Sequence, residues 1–195
     1  MEAILIRHLP TEWNKMGRLQ GKRDIPISYR ALSAQKQRIL DNKHQLEKFG
    51  PFDKVFASSL LRARQTAFVY GFDEPIIEPL LNEVDFGPFE GKTKLELIRH
   101  FSEDWFEHPE TIEAGESFME LERRVFEFIR RYKDEGRILI FGHGSWMRAL
   151  LSIQVNGNIQ MMNQIQLENN ELIRISRIHA ETEGGNEHQQ YVSYL

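Results

Sequence analysis

The stretch Ile138-Leu139-Ile140-Phe141-Gly142-His143-Gly144 is an unbroken apolar run that stops on a histidine between two glycines. A short apolar run without alternation predicts a strand buried on both faces, the form strands take inside a parallel sheet. The opening residues repeat the pattern, with Ala3-Ile-Leu-Ile6 closing on Arg7-His8. Val55-Phe-Ala57 is a third run, ending at Ser58-Ser59 and leading straight into Leu61-Arg62. Ile76-Ile77 is a weaker fourth. Between these runs the residues predict helices over 32–49, 60–70, 94–106 and 145–153. The clearest helix holds Phe118, Leu121, Val125, Phe128, Ile129 and Tyr132 at helical spacing. Ser117 and Glu120 fit its capping box and Gly136 its stop. Residues 10–28 and 79–93, rich in Gly and Pro, read as loops. Ile165-Gln-Leu167 and Leu172-Ile-Arg-Ile175 flank Glu168-Asn-Asn-Glu171 and predict a hairpin. The polar stretch 179–190 predicts an extended tail. Alternating strands and helices predict an α/β fold, a three-layer α/β/α sandwich around a mainly parallel sheet.

Composition narrows the partners. The 195 residues suit one domain, 1–195, and 41% hydrophobic with 28% charged residues is a globular balance. A net charge of −4 argues against a nucleic-acid binder, which needs a basic stripe. The chain has no cysteine, so disulfides, thiolate nucleophiles and Cys-held metal are excluded. It shows no signal-peptide pattern and no apolar run near the length of a membrane span, so a cytoplasmic, membrane-free protein is expected.

Two of the runs end in a histidine and a third ends beside an arginine. In open α/β sheets, ligands bind beyond the carboxyl ends of the strands. If the strands are parallel neighbours, Arg7, His8, Arg62 and His143 converge in one crevice. Gathered cations are costly unless an anion offsets them. A phosphoryl group does so, because guanidinium forks match its oxygens. Neighbouring positive charge also favours neutral imidazole, whose lone pair can attack phosphorus. Taken singly, each of these side chains is ordinarily a solvated strand end or a cap.

The sequence resembles the phosphoglycerate-mutase-like branch of the histidine phosphatase superfamily. Arg7-His8 stands where that family has Arg-His-Gly. Thr11-Glu-Trp-Asn14, Gly17-Arg-Leu-Gln-Gly21 and Asp24-Ile-Pro-Ile-Ser28 continue its pattern. Ser58-Ser-Leu-Leu-Arg62-Ala-Arg-Gln-Thr66 resembles its second-arginine segment, and Leu81-Asn-Glu83-Val-Asp-Phe-Gly87-Pro-Phe-Glu-Gly91 its acid-bearing loop. Gly115-Glu-Ser117 and Gly142-His143-Gly144 complete the set. One departure is Leu9 in place of the family's glycine, expected to reshape the pocket rim.

The resemblance implies a cofactor-independent hydrolase of a small phosphate ester. His8 would form a phosphohistidine. Arg7, Arg62 and His143 would hold the phosphoryl oxygens, Glu83 would act as general acid and base, and Asn14, Gln20 and the Gly144 N–H would bind phosphate. Phosphoglycerate mutase is the alternative, disfavoured because the mutases carry an insertion between the acid loop and the last histidine. A non-catalytic phospho-ligand module is a further one. Phe86, Phe89 and Trp13 are candidates for the entrance, and Trp105, Phe106 and Met119 for a lid. Lys22 and Arg23 are candidates for the far end of the substrate. His100, His108, His179 and His188 lack ligand spacing and read as surface residues, so no metal is expected.

Overall fold

The computed structural model describes residues 1–178 and 192–194. Strands β1 (Glu2–Arg7), β2 (Lys54–Ala57), β3 (Ile76–Ile77), β4 (Arg137–Gly142), β5 (Leu172–Ile175) and β6 (Val192–Tyr194) form one sheet in the order β3-β2-β4-β1-β5-β6. β3, β2, β4 and β1 run parallel, and β5 is antiparallel to both β1 and β6. The helices are α1 (Glu12–Lys15), α2 (Tyr29–Ala34), α3 (Lys36–Phe49), α4 (Leu61–Tyr70), α5 (Lys94–Phe101), α6 (Asp104–Glu107), α7 (Phe118–Tyr132) and α8 (Gly144–Asn156).

The apolar runs are buried because both sheet faces are covered. Ala3, Leu5, Phe56, Ile138 and Ile140 point to one face, where α7 and α8 pack with Leu121, Val125, Phe128 and Trp146. Ile4, Ile6, Ala57, Leu139 and Phe141 point to the other, under Ile39 and Leu46 of α3 and Ala67 and Tyr70 of α4. This strict alternation between two cores makes the three layers. Phe128 sits at the centre of the first core, with ring centroids 5.6 Å from Phe56 and 5.4 Å from Trp146. Phe128→Ala is expected to cost about 3–5 kcal/mol of stability, read as a lower denaturant midpoint at unchanged slope.

Several local expectations are corrected. The helix expected over 32–49 is two helices. Ser28 accepts the Ala31 N–H and starts α2 early, and Gln35 ends α2 and opens α3. On α3, Leu40 is exposed rather than part of the apolar face. The helix expected over 94–106 breaks at Ser102, whose φ of 52° turns the chain between α5 and α6. α7 has its predicted capping box but ends at Tyr132, before Gly136. Gly136 instead passes Asp53, where a Cβ would lie 2.5 Å from a carboxylate oxygen. The hairpin does not form. Residues 165–167 are not a strand, and β5 pairs with β1 and β6. The Leu167 carbonyl accepts from Arg7, so this segment belongs to the site rather than to the sheet. The predicted tail at 179–190 lies outside the described residues. Among the described residues, no helix is long and apolar enough to cross a membrane.

Candidate active site

β4 lies between β1 and β2, and all three run parallel. Their carboxyl ends therefore meet at one sheet edge, with Arg7 level with Gly142 and Ala57 level with Phe141. This places His8, Ser58 and His143 side by side. The rings of His8 and His143 are 5.2 Å apart. A cavity of about 610 Å³ opens in front of them, walled by Arg7, His8, Asn14, Gln20, Arg62, Glu83 and Gly144 among others. His143 lies behind this wall, fully buried. Five cationic side chains (Arg7, Arg18, Arg62, Lys94, Arg148) face two carboxylates (Glu83, Glu168) on the cavity wall. A chain of net charge −4 thus keeps a cationic pocket, which suits an anionic ligand.

Each group is held in place. His8 Nδ1 lies 2.8 Å from the Leu9 carbonyl, an acceptor only, so Nδ1 carries the hydrogen and Nε2 the lone pair. Arg62 donates to the carbonyls of Arg23 and Gly21, both at 2.8 Å. Arg7 donates to the Leu167 carbonyl. The Nε of each arginine is buried with no hydrogen-bond partner among the described residues. Unsatisfied guanidinium donors in a cavity point to an acceptor-rich ligand. Gly144 makes room for Arg7, since a Cβ there would lie 3.3 Å from the guanidinium carbon. The Glu83 carboxylate accepts the Ser145 N–H at 3.1 and 3.2 Å and the Val84 N–H at 3.0 Å. It thus caps the first turn of α8.

Asn14 belongs both to the first turn of α1 and to the cavity wall. Its Oδ1 accepts the Thr11 N–H at 3.0 Å in a capping box on α1, which leaves its NH₂ as the group able to donate into the cavity. Gln20 is buried in the wall with its Oε1 lacking a hydrogen-bond partner among the described residues.

Burial and the neighbouring Arg62 and Arg7 push His8 well below its ordinary value of 6.5. Burial, Arg62, His8 and Arg7 do the same to His143. Burial lowers Arg7 and Arg62 to about 10, so both stay charged at neutral pH. The depressed histidines have a stability consequence. Below 6.5 the unfolded chain takes up protons that the folded rings refuse, so stability is complete above that value and falls as the pH drops toward the folded values. Denaturant midpoints taken from about pH 8 to about pH 5 are expected to decline, and to decline less in His143→Gln.

Leu9 does not shape the rim. It is fully buried in the core with Ile6 and Ile27, its N–H donates to Thr66 Oγ1 at 2.9 Å, and only its carbonyl serves the site. Phe86, Trp105 and Phe106 line the cavity, whereas Phe89 packs on His100 and Phe101. Met119 and Trp13 lie off the wall, Trp13 beneath Arg23. Lys22 and Arg23 pair with Asp85 and Glu90. His108 pairs with Glu110, and His179 and His188 lie outside the described residues. The sequence reading missed Lys94, Arg148 and the segment 163–168. Arg148 carried a readable signal, since it stands five residues after His143 on a helix starting at the strand end.

The chain belongs to the histidine phosphatase superfamily (branch 1), whose sequence model matches residues 3–187. The adenosylcobalamin/alpha-ribazole phosphatase of Salmonella typhimurium is 33% identical over 165 residues, 78% of each chain. The probable phosphoglycerate mutase GpmB of Enterobacter sp. is 27% identical over 188 residues, 90% of this chain and 84% of that one. Among solved structures, TTHB049 from Thermus thermophilus is similar with a TM-score of 0.69 at 30% identity, over 90% of this chain and 93% of that one.

Proposed function

We propose that this chain is a phosphomonoester hydrolase working through a phosphohistidine on His8. The observation that carries the reading is His8 on the wall of the cavity that Arg7 and Arg62 share, with Nδ1 held by the Leu9 carbonyl so that Nε2 keeps the lone pair. Nε2 attacks phosphorus and the P–O ester bond breaks. The leaving oxygen takes its proton from Glu83. A water then gives a proton to the Glu83 carboxylate and attacks phosphorus, the P–N bond breaks, and His8 regains its lone pair. Arg7 and Arg62 hold the non-bridging oxygens, joined by a protonated His143. Asn14, Gln20 and the Gly144 N–H are the remaining phosphate contacts. The test is phosphate release across a panel of small phosphate esters. Release from none of them would refute the reading.

The similarity to GpmB supports a second reading, transfer of the phosphoryl group to a phosphoglycerate instead of water. A coupled mutase assay primed with bisphosphoglycerate separates the two.

Lys94 and Arg148 add positive charge to the wall beyond what one phosphoryl group needs. The Arg148 Nε is buried and lacks a hydrogen-bond partner among the described residues, and Lys94 is pushed below its usual value by burial and by Arg148 and Arg7. They favour an ester bearing a second acidic group. Arg148→Leu is expected to lower kcat/KM about tenfold or more on phosphoglycolate and much less on hydroxyethyl phosphate, its uncharged counterpart.

A further inference from the structure

Ser58 ends the strand run of β2 and Asn82 precedes Glu83, and neither has a part in the steps above. Their hydrogen bonds, followed in order, decide where the hydrogen sits on His143. The Ser59 N–H donates to Asn82 Oδ1 at 3.0 Å, so that atom is the carbonyl oxygen and not the amide nitrogen. Ser58 Oγ lies 2.9 Å from the same oxygen. A carbonyl oxygen only accepts, so the one hydroxyl hydrogen of Ser58 points to Asn82. Ser58 Oγ also accepts the Leu60 N–H at 3.1 Å. Its last contact, with His143 Nε2 at 2.7 Å, must then take its hydrogen from the ring. Nε2 is the protonated nitrogen. Nδ1 is left buried, with no hydrogen-bond partner among the described residues.

We propose that Ser58 and Asn82 are positioning residues that hold His143 as its Nε2–H tautomer, leaving Nδ1 as the atom that takes up a proton when an oxyanion enters and donates it to that anion. The two histidines are thereby set in opposite tautomers. His8 keeps hydrogen on Nδ1 and presents a bare Nε2 for attack. His143 keeps hydrogen on Nε2 and leaves Nδ1 bare behind the cavity wall. A bare Nδ1 repels a phosphoryl oxygen, so binding and protonation go together. The groups facing the ring are Arg62 from α4, Arg7 and His8 from the end of β1, and Arg124 from α7. All four disfavour charge on the ring while the cavity lacks an anion, and a dianion among them reverses the balance.

The test uses the full chain with nitrogen-15 histidine, and tungstate, which brings no proton of its own at neutral pH. His143 is assigned by loss of its signals in His143→Gln. The wild type is expected to show His143 with hydrogen on Nε2 and a bare Nδ1, and hydrogen on both nitrogens with tungstate bound. Calorimetry in two buffers of different ionisation enthalpy is expected to show proton uptake on tungstate binding, absent in His143→Gln. Ser58→Ala and Asn82→Leu are expected to mix the tautomers and lower kcat roughly ten- to hundredfold with little change in KM. Asn82→Asp, which keeps an acceptor for both serines, is expected to restore the tautomer and most of kcat. Hydrogen on Nδ1 of wild-type His143 overturns the proposal, and tungstate binding without proton uptake by the wild type overturns it even if no variant folds. The inference about the tautomer stands apart from the hydrolase reading. Intact esters with the expected spectra would sink only the hydrolase, and active enzyme with the opposite tautomer only this proposal.

Discussion

Replacing His8 with alanine is expected to lower kcat/KM by roughly ten thousandfold or more on every ester tested, because no other group in the cavity offers a lone pair to phosphorus in the same place. Arg7 and Arg62 take their anchors from backbone carbonyls, at Leu167 and at Arg23 and Gly21, and not from the imidazole. The anion cradle should therefore survive the change. His8→Ala is expected to bind tungstate close to wild-type affinity while it fails to turn over. The matching positive experiment is rapid quenching of the wild type with a labelled ester. It should trap phosphate on the protein in a form stable to base and labile to acid, and the label should be missing in His8→Ala. A labelled His8→Ala protein, or one with near wild-type turnover, would falsify the nucleophile.

Glu83→Gln carries the second largest effect, and its size depends on the leaving group. General acid catalysis contributes about a hundred- to ten-thousandfold when the leaving oxygen is poor. Alkyl phosphates need the proton, and nitrophenyl phosphate, whose leaving group is stable as an anion, does not. The expected result is a loss of roughly a thousandfold in phosphohistidine formation from alkyl esters and only a few-fold from nitrophenyl phosphate. Glutamine keeps an oxygen to accept the Ser145 and Val84 N–H groups that now hold the carboxylate, so the loop geometry should persist. Both events read the same side chain from opposite states. The acid step needs a proton on Glu83 and the base step needs its carboxylate. Equal losses on both ester types would remove Glu83 from the role of acid.

Much of the molecule is legible in its residues. Strands that face two cores must be apolar throughout, so the runs at 3–6 and 138–141 announce themselves. The amphipathic face and capping box of α7 are local properties, visible wherever Ser117 and Glu120 stand three apart. The ends of these strands then mark His8 and His143 as candidates. The places where the reading slipped are those where a distant contact outranks local preference. Leu9 faces the core because it packs beside Ile6 and Ile27 just past the end of β1. The segment 165–167 has strand-like residues but gives a carbonyl to Arg7 instead of joining a ladder.

Sequence alone determined the buried strands β1, β2 and β4, the amphipathic helix α7, the absence of thiol chemistry and the residue types available to meet a phosphoryl group. Only the tertiary structure decided that β4 lies between β1 and β2, that Lys94 and Arg148 join the cavity wall, and that Ser58 and Asn82 stand behind His143. The physical reason is range. Periodicity, caps and turn residues act over a few positions of the chain. The hydrogen on an imidazole nitrogen is set by a partner 85 residues away, which the chain brings near only by folding.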